Sequence, residues 1–175
     1  MQAAIQVVAR QGFHAASVDD IARQAGLSIG ALYGNFAGKD DLLFAAFDEH
    51  VTWFEQRLHA AAERADPGAA LNDWIGSLAR DPEQFLIFIE FWAYAVRKPQ
   101  ARDDFARRMS EMRQAVAAAV DHRRQLAGTI NAQPSPDSIA LLLLALGRGL
   151  ALEKLADPST TPEKPAAELL ANLLR

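Results

Sequence analysis

Residues 17–42 read SVDDIARQAGLSIGALYGNFAGKDDL, and this stretch decides the fold. Gly26, Gly30, Gly34 and Gly38 recur every fourth residue within it, in a chain that otherwise spends thirty-five positions on alanine. Glycine inside a helix costs roughly 1 kcal/mol relative to alanine. Four of them in so short a span therefore need a reason.

The local grammar supplies one. Ser17 is a good N-cap and Asp20 stands three residues on, close to a capping box. Val18, Ile21, Ala22 and Ala25 form the apolar face of a short helix, which Gly26 stops by taking the left-handed conformation. Ser28 caps a further helix predicted to run to about Phe36, and Gly38 breaks that one. Upstream, Ala4, Ile5, Val8, Ala9 and Phe13 keep helical spacing until Gly12 ends the turn. Lys39 then opens a long fourth helix, with Asp40 and Asp41 in the first turn, where the helix dipole favours carboxylates. Two short helices around a tight glycine turn make a helix-turn-helix, whose second helix usually enters the DNA major groove. In that reading Gly30, Ala31 and Gly34 leave one helix face without bulk, so that its backbone approaches a duplex. Leu32 and Phe36 bury on another face.

At this spacing the segment resembles the DNA-binding segment of the TetR family of bacterial transcriptional regulators. The resemblance rests on Ser17, Val18, Ile21-Ala22, Ala25-Gly26-Leu27-Ser28, Gly30, Leu32-Tyr33, Phe36, Lys39 and Leu42. It is ungapped over 17–42 and extends loosely, through helix number and order, over the remainder. It implies an all-α homodimer of about nine helices. An N-terminal three-helix domain (1–47) would bind a palindromic double-stranded DNA operator. A larger domain (48–175) would dimerise and hold a small-molecule effector that releases the DNA. The family prior favours a repressor.

Tyr33 offers a phosphate a hydroxyl on a rigid stem, and Lys39 places a cation beside the exposed N–H groups of a helix start. Ser17 and Ser28 are further phosphate candidates. Ile29, Ala31 and the backbone at Gly30 and Gly34 face the groove, where apolar groups read thymine methyls but make no bidentate hydrogen bonds. Asn35 stands where the family usually has His. Residues 1–47 hold Arg10, Arg23 and Lys39 against Asp19, Asp20, Asp40 and Asp41, a net of −1. A DNA-binding domain is normally basic, so a basic arm ahead of residue 1 is expected to tighten binding.

Beyond residue 66, where all eight prolines lie, helices are predicted over 69–80, 83–97, 100–127, 136–155 and 163–174. The 83–97 helix is apolar almost all round and should be central. His50, Trp53, Phe54, Phe88, Trp92, Met109, Met112 and Arg113 are the candidate effector residues, the usual mixture of apolar lining and a few polar groups. Glu90 and Arg97 are further polar candidates. Leu142, Ala145, Leu146, Gly149 and Leu150, with Leu169, Leu170 and Leu173 of the last helix, form the candidate dimer face.

The composition narrows the function. There is no Cys, which excludes disulfides and thiolate chemistry. His14, His50, His59 and His122 lack the i, i+4 spacing of a helical metal site. No phosphate loop, serine elbow or carboxylate pair is visible. No enzyme, cofactor or metal is therefore expected. The longest apolar run, Ile139 to Gly147, is far short of the roughly 20 residues that span a bilayer. The N-terminus does not read as a signal peptide. A cytoplasmic protein without membrane contact is expected. The rival reading is a helical protein-interaction module that uses the small-residue face against a partner helix instead of DNA.

Overall fold

A computed structural model describes residues 1–62, 76–77, 80–128 and 133–159. All regular structure among them is helical. The helices are α1 (Gln2–Ala15), α2 (Val18–Ala25), α3 (Ile29–Tyr33), α4 (Lys39–Ala62), α5 (Pro82–Arg97), α6 (Pro99–Ala127) and α7 (Pro136–Ala156). The helices expected over 69–80 and 163–174 lie, apart from 76, 77 and 80, outside the described residues. No helix among the described residues is long and apolar enough to cross a membrane. None of their His, Asp and Glu residues gather in threes that could hold a metal ion.

The chain divides into two compact units. One comprises Met1–Trp53 and Asp81–Ala106, the other Phe54–Arg80 and Arg107–Arg175. In the first unit α1 packs on both α2 and α5, and α2 on α3. Its core is aromatic. Phe47 of α4 stacks on Phe91 of α5 with ring centroids 4.1 Å apart, and Phe44 meets Phe91 edge-on at 5.1 Å. Phe13 meets Tyr94 edge-on at 5.3 Å. Such pairs contribute about 0.5–1.5 kcal/mol each beyond the area they bury.

Local rules set the small helices. Ser17 Oγ accepts the Asp20 N–H at 3.0 Å, and Asp20 Oδ2 accepts the Ser17 N–H at 3.3 Å, which completes a capping box. Gly26 ends α2 with φ +67°, and the Leu27 N–H reaches back to the Ala22 carbonyl at 2.9 Å. Ser28 Oγ accepts the Ala31 N–H at 3.2 Å and starts α3. That helix stops at Tyr33, short of the expected Phe36. Asn35 explains the difference: its side-chain amide donates to the Ala31 carbonyl at 2.8 Å, and its own N–H and that of Phe36 converge on Leu32. The last turn closes on itself and propagates no further.

Gly12 breaks α1 from within, at φ +75° and ψ 156°. An L side chain rarely adopts this conformation, and a Cβ there would lie 3.4 Å from Glu90 Oε1. The break frees the Phe13 N–H, which donates to Glu90 Oε2 of α5 at 2.8 Å. A side chain 77 residues away thus caps the start of the short turn that follows the break.

In the second unit, α7 buries Ile139, Ala140, Leu144, Gly147 and Ala151 on one stripe. Its other side leaves Leu141, Leu142 and Leu152 exposed. The side chains of α6 meet α7 where Arg148 Nη2 donates to Met109 Sδ at 3.3 Å.

Candidate functional site

The surface of α3 faces outward. Ser28, Ile29, Gly30, Ala31, Tyr33, Gly34 and Asn35 are all exposed, and between them only Leu32 turns inward, at 6% exposure. Tyr33 is 57% exposed and Ile29 44%. A Cβ added at Gly30 would meet nothing nearer than Ser28 Oγ at 4.0 Å. The missing bulk is therefore not filled by the unit's own side chains. Leu27, 52% exposed at the turn, belongs to the same surface, beyond its place in the motif. Its signal is a large apolar residue directly after a left-handed glycine, where no helix face can bury it.

The polar members of this surface are partly engaged. The Ser17 hydroxyl donates to Asp20 Oδ2 at 2.6 Å, so it serves the cap. Lys39 Nζ donates to the His14 carbonyl at 3.0 Å and lies 4.6 Å above the Phe13 ring. It braces α4 against the end of α1 and holds its charge at the start of α4. Asn35 spends one amide hydrogen on Ala31. Tyr33 stands in solvent on a capped, glycine-bounded frame.

The acidic residues beside this surface are partly neutralised. The Ser17 hydrogen bond, then the nearby Arg23, holds the Asp20 carboxyl below its ordinary value. Arg23 Nη1 lies 3.2 Å from Asp20 Oδ1. Asp40 is also held low, first by a hydrogen bond from Tyr94 and then by Lys98. Lys98 Nζ lies 3.1 Å from Asp40 Oδ2 and 4.7 Å above the Tyr94 ring. Lys98 comes from the end of α5, so this compensation of the N-terminal carboxylates was not visible in residues 1–47 alone.

The candidate effector residues fall into two groups. In the first unit His50, Trp53 and Phe88 come together, with the His50 ring 5.9 Å from Trp53 and 5.8 Å from Phe88. His50 and Phe88 are buried, while Trp92 is 50% exposed on α5. In the second unit Phe54 and Met112 are buried, and Met109 and Arg113 are half-buried on α6. Glu90 is committed to Phe13, and Arg97 Nη1 donates to the Ala93 carbonyl at 2.8 Å. Of the candidate dimer residues, Leu142, Ala145 and Gly149 are exposed on α7, and Leu146 and Leu150 are half-buried. Leu169, Leu170 and Leu173 lie outside the described residues.

Comparison with known proteins covers both ends of the chain. Residues 1–46 match the family model described as "Bacterial regulatory proteins, tetR family". Residues 67–175 match "BetI-type transcriptional repressor, C-terminal". The chain is 38% identical over 58 residues to the fatty acid metabolism regulator protein of Bacillus subtilis, a match that covers 33% of this chain and 30% of that relative. It is 25% identical over 184 residues to the nicotine-responsive transcriptional repressor HdnoR of Paenarthrobacter nicotinovorans, covering 98% of this chain and 90% of the other. Among solved structures, FadR from Bacillus subtilis in complex with stearoyl-CoA aligns with a TM-score of 0.75 at 20% identity, over 99% of this chain and 94% of that one. At that identity the likeness is one of fold.

Proposed function

The chain belongs to the TetR family of bacterial regulatory proteins, and from that premise we propose that it works as a homodimeric repressor on a palindromic operator, released by a small, mostly apolar or aromatic effector. The family is one of transcriptional regulators. The observation that carries the operator reading is the open α3 face, bare of side chains at Gly30 and Gly34 and flanked by exposed Tyr33 and Ile29.

In this reading residues 1–47 form the DNA-binding part and 48–175 the effector and dimer part. Ile29, Gly30, Ala31 and Gly34 lie along the groove, while Ser28, Tyr33 and Asn35 reach phosphates. Ser17 and Lys39 hold the frame, with the Lys39 charge adding to the field at the start of α4. Two such faces must meet grooves about 34–36 Å apart, which requires two copies. The exposed Leu142, Ala145 and Gly149 of α7, with Leu141 and Leu152 beside them, supply a self-complementary apolar face of the kind a twofold dimer uses. Leu146 and Leu150 flank it.

The test is a gel shift against the intergenic DNA beside the protein's own gene, titrated over salt. A retarded dimer complex whose affinity falls steeply with salt is expected, and deletion of the chain from Pro136 onward should abolish dimer and complex together. No complex at any salt would favour the rival interaction module, towards which the net charge of −1 over 1–47 leans.

A further inference from the structure

The break in α1 lies where side chains of α4 and α5 meet its end. Gly12 caps the short turn 13–15, because its carbonyl accepts the Ala16 N–H at 3.1 Å. The Phe13 N–H, first in that turn, donates to Glu90 Oε2 of α5 at 2.8 Å. The buried Phe13 ring meets Tyr94 of α5 edge-on at 5.3 Å and carries Lys39 Nζ 4.6 Å above it. The same Lys39 Nζ donates to the His14 carbonyl at 3.0 Å. The first residue of α4 and one side of α5 thus hold a single turn between them.

That turn is the joint from which the helix-turn-helix hangs. Buried Ala16 follows it, and Ser17 then caps α2. The direction in which α2 leaves α1, and α3 with it, depends on the Gly12 dihedrals, φ +75° and ψ 156°.

The sequence permits a second geometry. No proline stands between Gln2 and Ala15. With ordinary helical dihedrals at Gly12, the Phe13 N–H would return to the Ala9 carbonyl and α1 would run on unbroken. A helix turns the chain by about 100° per residue, so the unbroken form carries the Phe13 ring away from Tyr94 and redirects the chain at Ala16. Glycine adopts either geometry, whereas other residues favour the helical one. A carboxylate is a strong acceptor for a backbone N–H, and Glu90 offers it only to the broken form.

We propose that Glu90 is a positioning residue for operator binding: by accepting the Phe13 N–H it latches the Gly12 break, and so fixes the angle at which α2 and α3 meet DNA. This rests on the operator reading. Glu90 acts through Phe13 and touches no DNA itself. The role is distinct from a contribution to stability, because the unbroken form is also folded and presents α3 at the wrong angle.

Operator affinity is measured by fluorescence anisotropy on the intergenic fragment, per folded molecule, with urea melts giving the folded fraction. Glu90→Ala should bind about tenfold more weakly, the shift that follows loss of a hydrogen bond to a charged group. Glu90→Gln keeps an acceptor oxygen without the charge and should recover most of that loss. Gly12→Ala strains the break and favours the continuous helix, so it should lose a similar factor. The double variant should bind no more weakly than Gly12→Ala alone, because a Phe13 N–H inside the helix needs no outside acceptor. Backbone chemical shifts of residues 11–14 in the DNA-free chain are the second readout. They should report a break in the parent and helix in Gly12→Ala, with Glu90→Ala moved towards helix. Should Glu90→Ala fail to fold, Glu90→Gln and Gly12→Ala decide by the same criteria. Parent-like affinity of Glu90→Ala or Gly12→Ala, Glu90→Gln as weak as Glu90→Ala, losses that multiply in the double variant, or shifts that stay broken in every variant would overturn the proposal. A parent chain that binds no DNA would remove the operator reading and this role with it, while shifts that turn helical would keep the latch itself.

Discussion

The segment from Ser17 to Lys39 and the α6–α7 pair are built on opposite principles. In the first, nearly every position answers a neighbour within four residues: Ser17 with Asp20, Gly26 with Ala22, Ser28 with Ala31, Asn35 with Ala31. Its apolar content is small, and its outward face is kept bare. In the second, long helices carry almost no local punctuation, and the consequential groups meet only across space, as Arg148 does with Met109. The first region presents a shape whose function needs precise backbone placement. The second buries its side chains along one stripe of a long helix, as α7 does with Ile139, Ala140, Leu144 and Ala151. The exposed face is specified by caps, the buried one by tertiary packing.

Five substitutions probe this contrast. The largest effect is expected where the two principles meet, at the clamp between Gly12 and Glu90. Glu90→Ala leaves the buried end of α1 without its acceptor and should lower unfolding stability by about 1–3 kcal/mol. Gly12→Ala should cost a similar amount through backbone strain. Urea denaturation measures both, and an unchanged midpoint for both variants would mean that the N-terminal helices stand by local rules alone. Next is Tyr33→Phe, which removes an exposed hydroxyl and should weaken operator binding about tenfold at unchanged stability, the size of one hydrogen bond to a charged group. A uniform loss across operator variants marks a phosphate contact, whereas a loss confined to one base step would make Tyr33 a base reader.

Gly30→Ala is sharper though smaller, because its two readouts should move in opposite directions. The added methyl meets open space, so the helix should gain up to about 1 kcal/mol while operator affinity falls. If affinity rises with stability, the bare face serves no duplex. The smallest effect belongs to Asp40→Asn. Asp40 is held below its ordinary value of 3.8 by Tyr94 and Lys98. Its contribution is therefore fully present above about pH 4 and is lost as the pH falls through the lower, folded value. The variant should match the parent at low pH and trail it slightly at neutral pH in a thermal-melting series. Asp40 and Lys98 are both half exposed, so solvent screening keeps the difference small.

What could be read from the residues alone follows the same line. The capping box, the Gly26 turn and the Ser28 cap were legible because each closes within a few residues. The early stop of α3 was not, since it depends on whether the Asn35 amide folds back or points away. Glu90 is one polar candidate among several on an apolar helix, and its bond to the Phe13 N–H is a pairing that no periodicity reveals across 77 residues. Lys98 beside Asp40, 58 residues distant, escaped for the same reason. Arg148 ends an apolar run in the sequence, and nothing in that run points to the Met109 sulfur it meets across the helices.

The Glu90 clamp also bears on how such a regulator can be rebuilt. A chimera that grafts only the first fifty residues onto a new sensor leaves behind the carboxylate that finishes their opening helix. Because that carboxylate sits in the middle of the chain, the DNA-reading head is not a detachable cassette. A working transplant must carry α5 with it, or offer a substitute acceptor at the same spot.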